Sequence, residues 1–376
     1  MLAQSTLVVM VLIAVVGAGC APAATPPPAA APPAAGAQAA APAAAAPTAV
    51  PPTAPATPPA PVTLRAGGLG GSVDRAYYVA EEKGYFAEQG ITLDVENYRS
   101  ASEMVPLLAT GRMDVGHGST NPGFFNAMLQ GVIVKVVSDV TIIKAPKPGQ
   151  RNAMQLMLRK DLTDEVRSAA DLRGRVVGIN NFSSLNHEQL EWALHTGSLE
   201  LSDVQIEQVA FPEQLSALAN GKLDAGITLE PFVTMAEARN VAVPLVDIGV
   251  AMPGHTAQNL FYSPELVQTQ PDVGRRFIVA YIKALRYLED AFEKGINREE
   301  AIDIFIKHTT LKDRALYDRM AQSNSELNGN VNVANIERDQ DFYMRMGYQQ
   351  QKADVQSFVD TSFGEYAVSV LGRYQE

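Results

Sequence analysis

Short polar side chains and a few aromatic rings gather in six brief segments of this sequence. Their types suit holding a molecule better than breaking one. Residues 70–74 supply Ser72 and Asp74, with Tyr78 just beyond; residues 118–121 supply Ser119 and Asn121; residues 138–141 supply Asp139. Residues 180–184 read Asn180-Asn181-Phe182-Ser183-Ser184, residues 229–232 include Glu230, and residues 252–258 include His255. Hydroxyls, amides and carboxylates of this kind offer donors and acceptors to the edge of a polar ligand. Ser, Asn and Asp are also favoured helix N-caps, and capping is the simpler role for Ser119, Asn121 and Ser184 taken one at a time. Phe182 stands apart. A phenyl ring between Asn181 and Ser183 suits stacking on a planar ligand, worth about 0.5–1.5 kcal/mol beyond area burial. Cations are scarce nearby, since Arg75 and Lys144 stand against Asp74, Asp139 and Glu230. Helix N-termini contribute only about 0.3–2 kcal/mol each, against a cost of several kcal/mol for burying a small ion. The balance favours an uncharged planar ligand over an oxyanion.

Other residue patterns carry less chemistry. No nucleophile–base pair is visible. His187, Glu191 and His195 fall at i, i+4 and i+8 and could hold a metal from one helix face, but a solvated face is the simpler reading. Neither a metal nor a cofactor is expected. His117 and His255 each either hydrogen-bond a ligand or cap a helix. The run Gly67-Gly68-Leu69-Gly70-Gly71 lacks both the dinucleotide and the P-loop spacing, and reads as backbone that lets a ligand approach closely. A single cysteine, Cys20, excludes a disulfide framework and a cysteine-ligated metal. The net charge of −11 argues against nucleic acid and anionic membrane surfaces as partners.

These segments need elements to position them. Residues 1–20 read as a lipoprotein signal: an apolar run at 7–16, too short to span a bilayer, leads to Gly17-Ala18-Gly19-Cys20, with Cys20 the lipidation site. No Lys or Arg precedes the run, and Gly occupies position 17, so an ordinary secretory peptide or a short anchor are the alternatives. Residues 21–61 hold 14 of the 24 prolines and no charge, which reads as a disordered Pro/Ala-rich tether. The remaining 315 or so residues suggest two domains. Strands are expected at 63–66, 92–96, 115–117 and 132–137, alternating with helices at 74–83, 102–109 and 122–129. The pattern restarts with strands at 176–179, 205–209, 225–229 and 243–246, and helices at 185–194, 212–219 and 231–238. From 271 onward the chain reads as nearly all helical, with amphipathic stretches at 273–293, 299–307 and 333–346. Strand–helix alternation implies mostly parallel sheets covered by helices.

The two halves also share a segment. Residues 108–116, Leu-Ala-Thr-Gly-Arg-Met-Asp-Val-Gly, correspond to residues 218–226, Leu-Ala-Asn-Gly-Lys-Leu-Asp-Ala-Gly. Each joins a helix end, a Gly stop and a short strand, and each leads on to a proline in a helix's first turn. Two similar α/β lobes follow, with a crevice beyond the carboxyl ends of the strands where ligands sit.

At this point the residues resemble a known family. Residues 78–86, Tyr-Val-Ala-Glu-Glu-Lys-Gly-Tyr-Phe, followed by Gly90-Ile91, resemble the opening of periplasmic binding proteins of the nitrate/sulfonate/taurine and thiamine-pyrimidine type. Residues 171–179 resemble that family's passage into its second lobe, and Gly221, Asp224-Ala225 and Glu230-Pro231-Phe232 continue the match. The resemblance implies a two-lobed, type II α/β fold in which lobe one holds 62–153 and 257–376 and lobe two holds 154–256, with the C-terminal helices packed on lobe one. It implies a monomeric, lipid-anchored, extracytoplasmic protein that hands a small molecule to an ABC permease. For the ligand, riboflavin ranks first and a thiamine pyrimidine precursor second; sulfonate, taurine or nitrate anions are the alternative. Eukaryotic pyrimidine synthases of this fold use a cysteine-rich motif for iron, which this chain lacks, so no enzyme is expected. A surface interaction module is the remaining rival.

Overall fold

The structure, a computed structural model, describes residues 60–375 apart from Arg99, with only the backbone of Gly71 and Ser72. The apolar run, Cys20 and the tether up to residue 59 lie outside the described residues. The first stretch runs β1 (Val62–Gly68), α1 (Arg75–Glu82), α2 (Tyr85–Glu88), β2 (Ile91–Asn97), α3 (Ala101–Ala109), β3 (Val115–Gly118), α4 (Pro122–Leu129) and β4 (Lys135–Ile143). The second runs β5 (Met154–Arg159), β6 (Val176–Ile179), α5 (Leu185–His195), β7 (Gln205–Gln208), α6 (Phe211–Ala219), β8 (Ala225–Leu229), α7 (Phe232–Ala238), β9 (Ala242–Asp247) and α8 (Ile248–Ala251). The chain returns as β10 (His255–Tyr262), α9 (Pro271–Glu293), α10 (Arg298–His308), α11 (Arg314–Tyr317), β11 (Asn324–Ser325), α12 (Val333–Arg345), α13 (Val355–Phe358) and α14 (Ser362–Leu371).

Two sheets result. The first has the order β11-β4-β10-β3-β1-β2 and the second β7-β6-β8-β5-β9. Strands β1, β2 and β3 run parallel, as do β6, β7 and β8, while β10 and β5 are antiparallel to their neighbours. The expected two-lobed α/β fold is therefore present. Long α9 lays Phe277, Ile278, Tyr281, Ile282 and Leu285 into the core of the first lobe, each such side chain worth about 1.5–3 kcal/mol when fully buried.

The shared segment does the same work in both lobes. Gly111 and Gly221 take left-handed conformations, φ +66° and +79°, that end α3 and α6. The Asp that follows then reaches across to the neighbouring strand: Asp114 Oδ2 accepts from the Arg65 amide at 2.8 Å, and Asp224 Oδ2 accepts from the Val176 amide at 2.9 Å. Its own amide donates to the Arg65 carbonyl in one lobe and the Val176 carbonyl in the other. The repeat is thus a strand-docking device.

Two chain crossings join the sheets and lie against each other. Asp247 binds them, accepting from the Asn152 amide at 2.7 Å, the Gln155 Nε2 at 2.8 Å and the Gly249 amide at 2.7 Å. A Cβ on Gly249 would stand 2.3 Å from the Lys144 carbonyl oxygen, so only glycine admits that approach.

Four sequence expectations need correction. Residues 132–134 lie outside β4, which begins at Lys135 and runs to Ile143. Residues 138–141, expected as a loop, are therefore mid-strand. Strand β5 carries the apolar run Met-Gln-Leu-Met-Leu-Arg with Leu156 and Met157 fully buried, and such a run cannot be told from a helix by period. Residues 255–258, also expected as loop, open β10; their polar side chains face partners inside the protein rather than solvent. The C-terminal part includes the short strand β11 in addition to helices.

Candidate functional site

Asp74 ties together the loop after β1 and the end of β3. Its carboxylate accepts from the Leu69 amide at 2.9 Å and the Gly70 amide at 2.6 Å, and His117 Nε2 stands 2.7 Å away. A Cβ on Gly68 would come within 2.7 Å of Asp74 Oδ2, so the glycine run exists partly to seat this carboxylate. Burial raises its pKa, but His117 and the two amides outweigh that and hold it below the usual carboxylate range. Tyr78 brings its hydroxyl 3.5 Å from the same carboxylate and stacks its ring on His308, with centroids 4.8 Å apart. Asn121 is an N-cap whose Oδ1 accepts from the Phe124 amide and the Ser102 hydroxyl. Ser119 is half-buried beside it; the side chain of Ser72 lies outside the described part.

Asp139 is a brace inside the first lobe. It accepts from Thr256 Oγ1 at 2.8 Å, Asn259 Nδ2 at 2.7 Å and the Asn332 amide at 3.0 Å, tying β4, β10 and the approach to α12 together. Burial pushes it up to about 7 against those donors.

On the second lobe, residues 180–184 form a self-bonded turn. The Ser184 hydroxyl donates to Asn180 Oδ1 and the Asn181 carbonyl, and the Ser183 amide donates to Asn181 Oδ1. Phe182 caps this turn with its ring 36% exposed, touching His187 edge-on at 5.5 Å. Glu230, at the end of β8, is buried and accepts from Thr234, from Arg151 Nη2 at 3.0 Å and from the Ala321 amide at 3.1 Å, the last belonging to the returning C-terminal part. Burial raises its pKa.

The densest polar cluster lies where α5 of the second lobe meets α12, which packs Ile336, Phe342 and Tyr343 into the first lobe's core. Glu188 is 1% exposed, Asp339 4% and His255 fully buried. One oxygen or nitrogen from each lies within 4.8 Å of the other two, which among the described residues makes them a candidate divalent-metal group. The arrangement argues against that use. Arg338 Nη2 donates to His255 Nδ1, and a guanidinium has no lone pair, so Nδ1 must be the acceptor. The neutral ring then carries its hydrogen on Nε2, pointing to Asp339 Oδ1 at 3.3 Å and leaving no lone pair for a metal. Burial, then Arg338, keep His255 neutral by lowering its pKa far below the ordinary value.

His187, Glu191 and His195 did not form the expected solvated face. His187 and Glu191 are buried against α12 and the segment after it, with Glu191 gripped by Arg345 at 2.5 and 2.9 Å and His187 3.3 Å from the Tyr348 hydroxyl; only His195 is exposed. The sequence reading missed Glu188, Arg338, Asp339 and Arg345. The available signal was in α5, where Asn186-His187-Glu188-Gln189 has no apolar break and all four are buried.

A sequence model of the NMT1/THI5-like family matches residues 75–291, from α1 to the end of α9. The chain belongs to this family. The riboflavin-binding protein RibY of Chloroflexus aurantiacus is 27% identical over 290 residues, 72% of this chain and 75% of that protein. The alkanesulfonate-binding protein SsuA from Xanthomonas axonopodis pv. citri, solved bound to MOPS, has a TM-score of 0.62 at 15% identity over 80% of this chain and 99% of its own. The desulfurization enzyme DSZB matches with a TM-score of 0.59 at 17% identity over 82% of this chain and 99% of its own. The chain thus shares its fold with a binding protein and with a desulfurization enzyme.

Asp74 gives the first prediction. A carboxyl whose folded pKa is depressed stabilises the protein above its unfolded pKa and ceases to do so as pH falls through the folded one. Asp74→Asn should therefore lower the urea-unfolding free energy by about 2–4 kcal/mol at pH 7, and the deficit should shrink below about pH 4.

Proposed function

We propose that this protein is the solute-binding component of an ABC importer, anchored through Cys20 at the extracytoplasmic face, and that it captures a planar, mostly uncharged heterocycle. Riboflavin is the leading ligand and a thiamine pyrimidine precursor the second. The observation that carries the reading is Phe182, a large aromatic ring left one-third exposed on a polar turn of the second lobe. The likeness to RibY supports the same ligand class.

The cations support it as well. Arg75 is buried, with its guanidinium donating to the Ser323 carbonyl and Ser325 Oγ. Arg151 is committed to Glu230 and Glu237, and Arg345 to Glu191. A small oxyanion would have to compete with carboxylates for Arg151 and Arg345, and with a carbonyl and a hydroxyl for Arg75. In the proposed site Phe182 stacks on the ligand, while Asn180, Asn181, Ser183, Ser184 and Ser119 supply its edge contacts. Asp74, Asn121, Asp139, Glu230 and His255 already spend their polar atoms on protein partners, so they shape the walls, with Ser72 and Tyr78 at the rim. The protein is proposed to act as a monomer, without catalysis, passing its ligand to the permease subunits.

Calorimetric titration tests the ligand. Riboflavin should bind, and Phe182→Ala should weaken it roughly 2- to 10-fold, the equivalent of one lost stacking contact. Micromolar binding of taurine or nitrate with none for riboflavin or a pyrimidine sinks this reading in favour of the anion carriers. Cys20→Ser should move the expressed protein from the membrane to the soluble fraction; retention at the membrane argues against the lipid anchor.

A further inference from the structure

We propose that Glu188 and Asp339 form a proton-held clasp between the two lobes, so that closure takes up one proton and its loss releases the α5–α12 contact. Glu188 rides on α5, whose Leu190, Ala193 and Leu194 belong to the second lobe's core. Asp339 rides on α12, fixed to the first lobe. One oxygen of each carboxyl group lies within 4.8 Å of the other, and two buried carboxylates this close repel strongly unless one of them carries a proton. Glu188 Oε2 is buried without a hydrogen-bond partner, and a proton held by the pair gives it a donor.

The surrounding charges require that proton. On α12, Arg338 faces the pair, Arg345 also feels Glu188 although it is committed to Glu191, and Tyr343 stays neutral because burial raises its pKa well above the ordinary value. On β10, His255 is held neutral. On α5, burial lowers the pKa of His187. The loop after β3 brings the uncharged Thr120 beside Asp339. With one proton shared, a single negative charge faces Arg338 and the cluster is neutral. Without it the buried cluster holds an uncompensated negative charge, which low-dielectric surroundings penalise heavily.

Burial first pushes Glu188 up to about 7 against the opposing Arg338 charge, and burial and then the Glu188 charge push Asp339 well above the ordinary range. When the lobes part, water returns both groups to ordinary carboxylate behaviour and the proton leaves. Groups whose pKa is raised in the closed state favour closure at low pH, and that contribution disappears as pH rises through the raised pKa values of the pair. The inference rests on the proposed function only in requiring lobes that open and close; it does not depend on the ligand.

Trp192, the only tryptophan in the chain, reports on the clasp directly. It stands one helical turn from Glu188 on α5, and its ring lies 5.6 Å from the Arg338 guanidinium. Intrinsic fluorescence of the ligand-free full chain, titrated through neutral pH, should show a transition above the ordinary carboxylate range, with a larger radius of gyration by small-angle scattering on the alkaline side. Glu188→Gln, whose amide donates to Asp339 with no proton at stake, should remove the transition and keep the compact form; Asp339→Asn should do the same from the other side. His195→Gln, which removes the exposed imidazole 6.1 Å from the indole, should leave the transition in place. Riboflavin affinity should fall by up to tenfold per pH unit above the midpoint in the wild type and stay flat in Glu188→Gln. The proposal is overturned by a flat wild-type titration, by an unchanged transition in both clasp variants, by its loss in His195→Gln, or by a stoichiometric divalent metal whose chelation abolishes it. A riboflavin arm that shows no binding while the fluorescence and scattering behave as stated removes the ligand, not the clasp.

Discussion

Strand β10 is the constraint on which the rest depends. It is hydrogen-bonded on both edges, to β3 and to β4, and these two strands have no other connection within the first sheet. The first lobe cannot complete its sheet until the chain has built the second lobe and come back. That requirement fixes two crossings, and Asp247 with Gly249 holds them together. It also places the start of β10 beneath α12, so that His255 enters the polar cluster as a consequence of topology. A buried histidine there needs a neutral ring and satisfied nitrogens, which Arg338 and Asp339 provide.

The parallel units were legible because their signals are local. Apolar strands of four or five residues, Gly stops and helix-starting prolines mark β6, β8 and α4 with the bounds the structure has, and the duplicated Gly-basic-x-Asp segment by itself points to two lobes. The strands that were missed, β5 and β10, pair antiparallel with partners far along the chain. Residues 255–262 contain His255, Thr256, Gln258 and Asn259, which look like a polar loop until Asp139 and Asn335 are seen to bind them. Nothing in a linear pattern announces hydrogen-bond partners 79 to 120 residues away.

The candidate site follows the same rule. Loop residues around strand ends were legible as polar, and Phe182 as an odd aromatic, because each judgement needs only its own neighbours in sequence. Whether a polar side chain faces a ligand or a protein partner depends on long-range contacts, which is why Asp74, Asp139 and Glu230 proved to be internally bonded. The α5–α12 cluster was invisible for a further reason. Its charges are tolerable only in combination, and Glu188 alone on a helix face reads as an ordinary solvated residue. Cations were judged scarce from the loops, and the structure adds that Arg75, Arg151 and Arg345 are already paired.

The central claim is that the crevice between the lobes holds a planar heterocycle. Purifying the protein from producing cells and identifying the co-purifying small molecule by mass spectrometry tests it most directly. A flavin, giving a yellow protein, or a thiamine-type pyrimidine is the predicted result. A sulfonate or nitrate in its place would contradict the account.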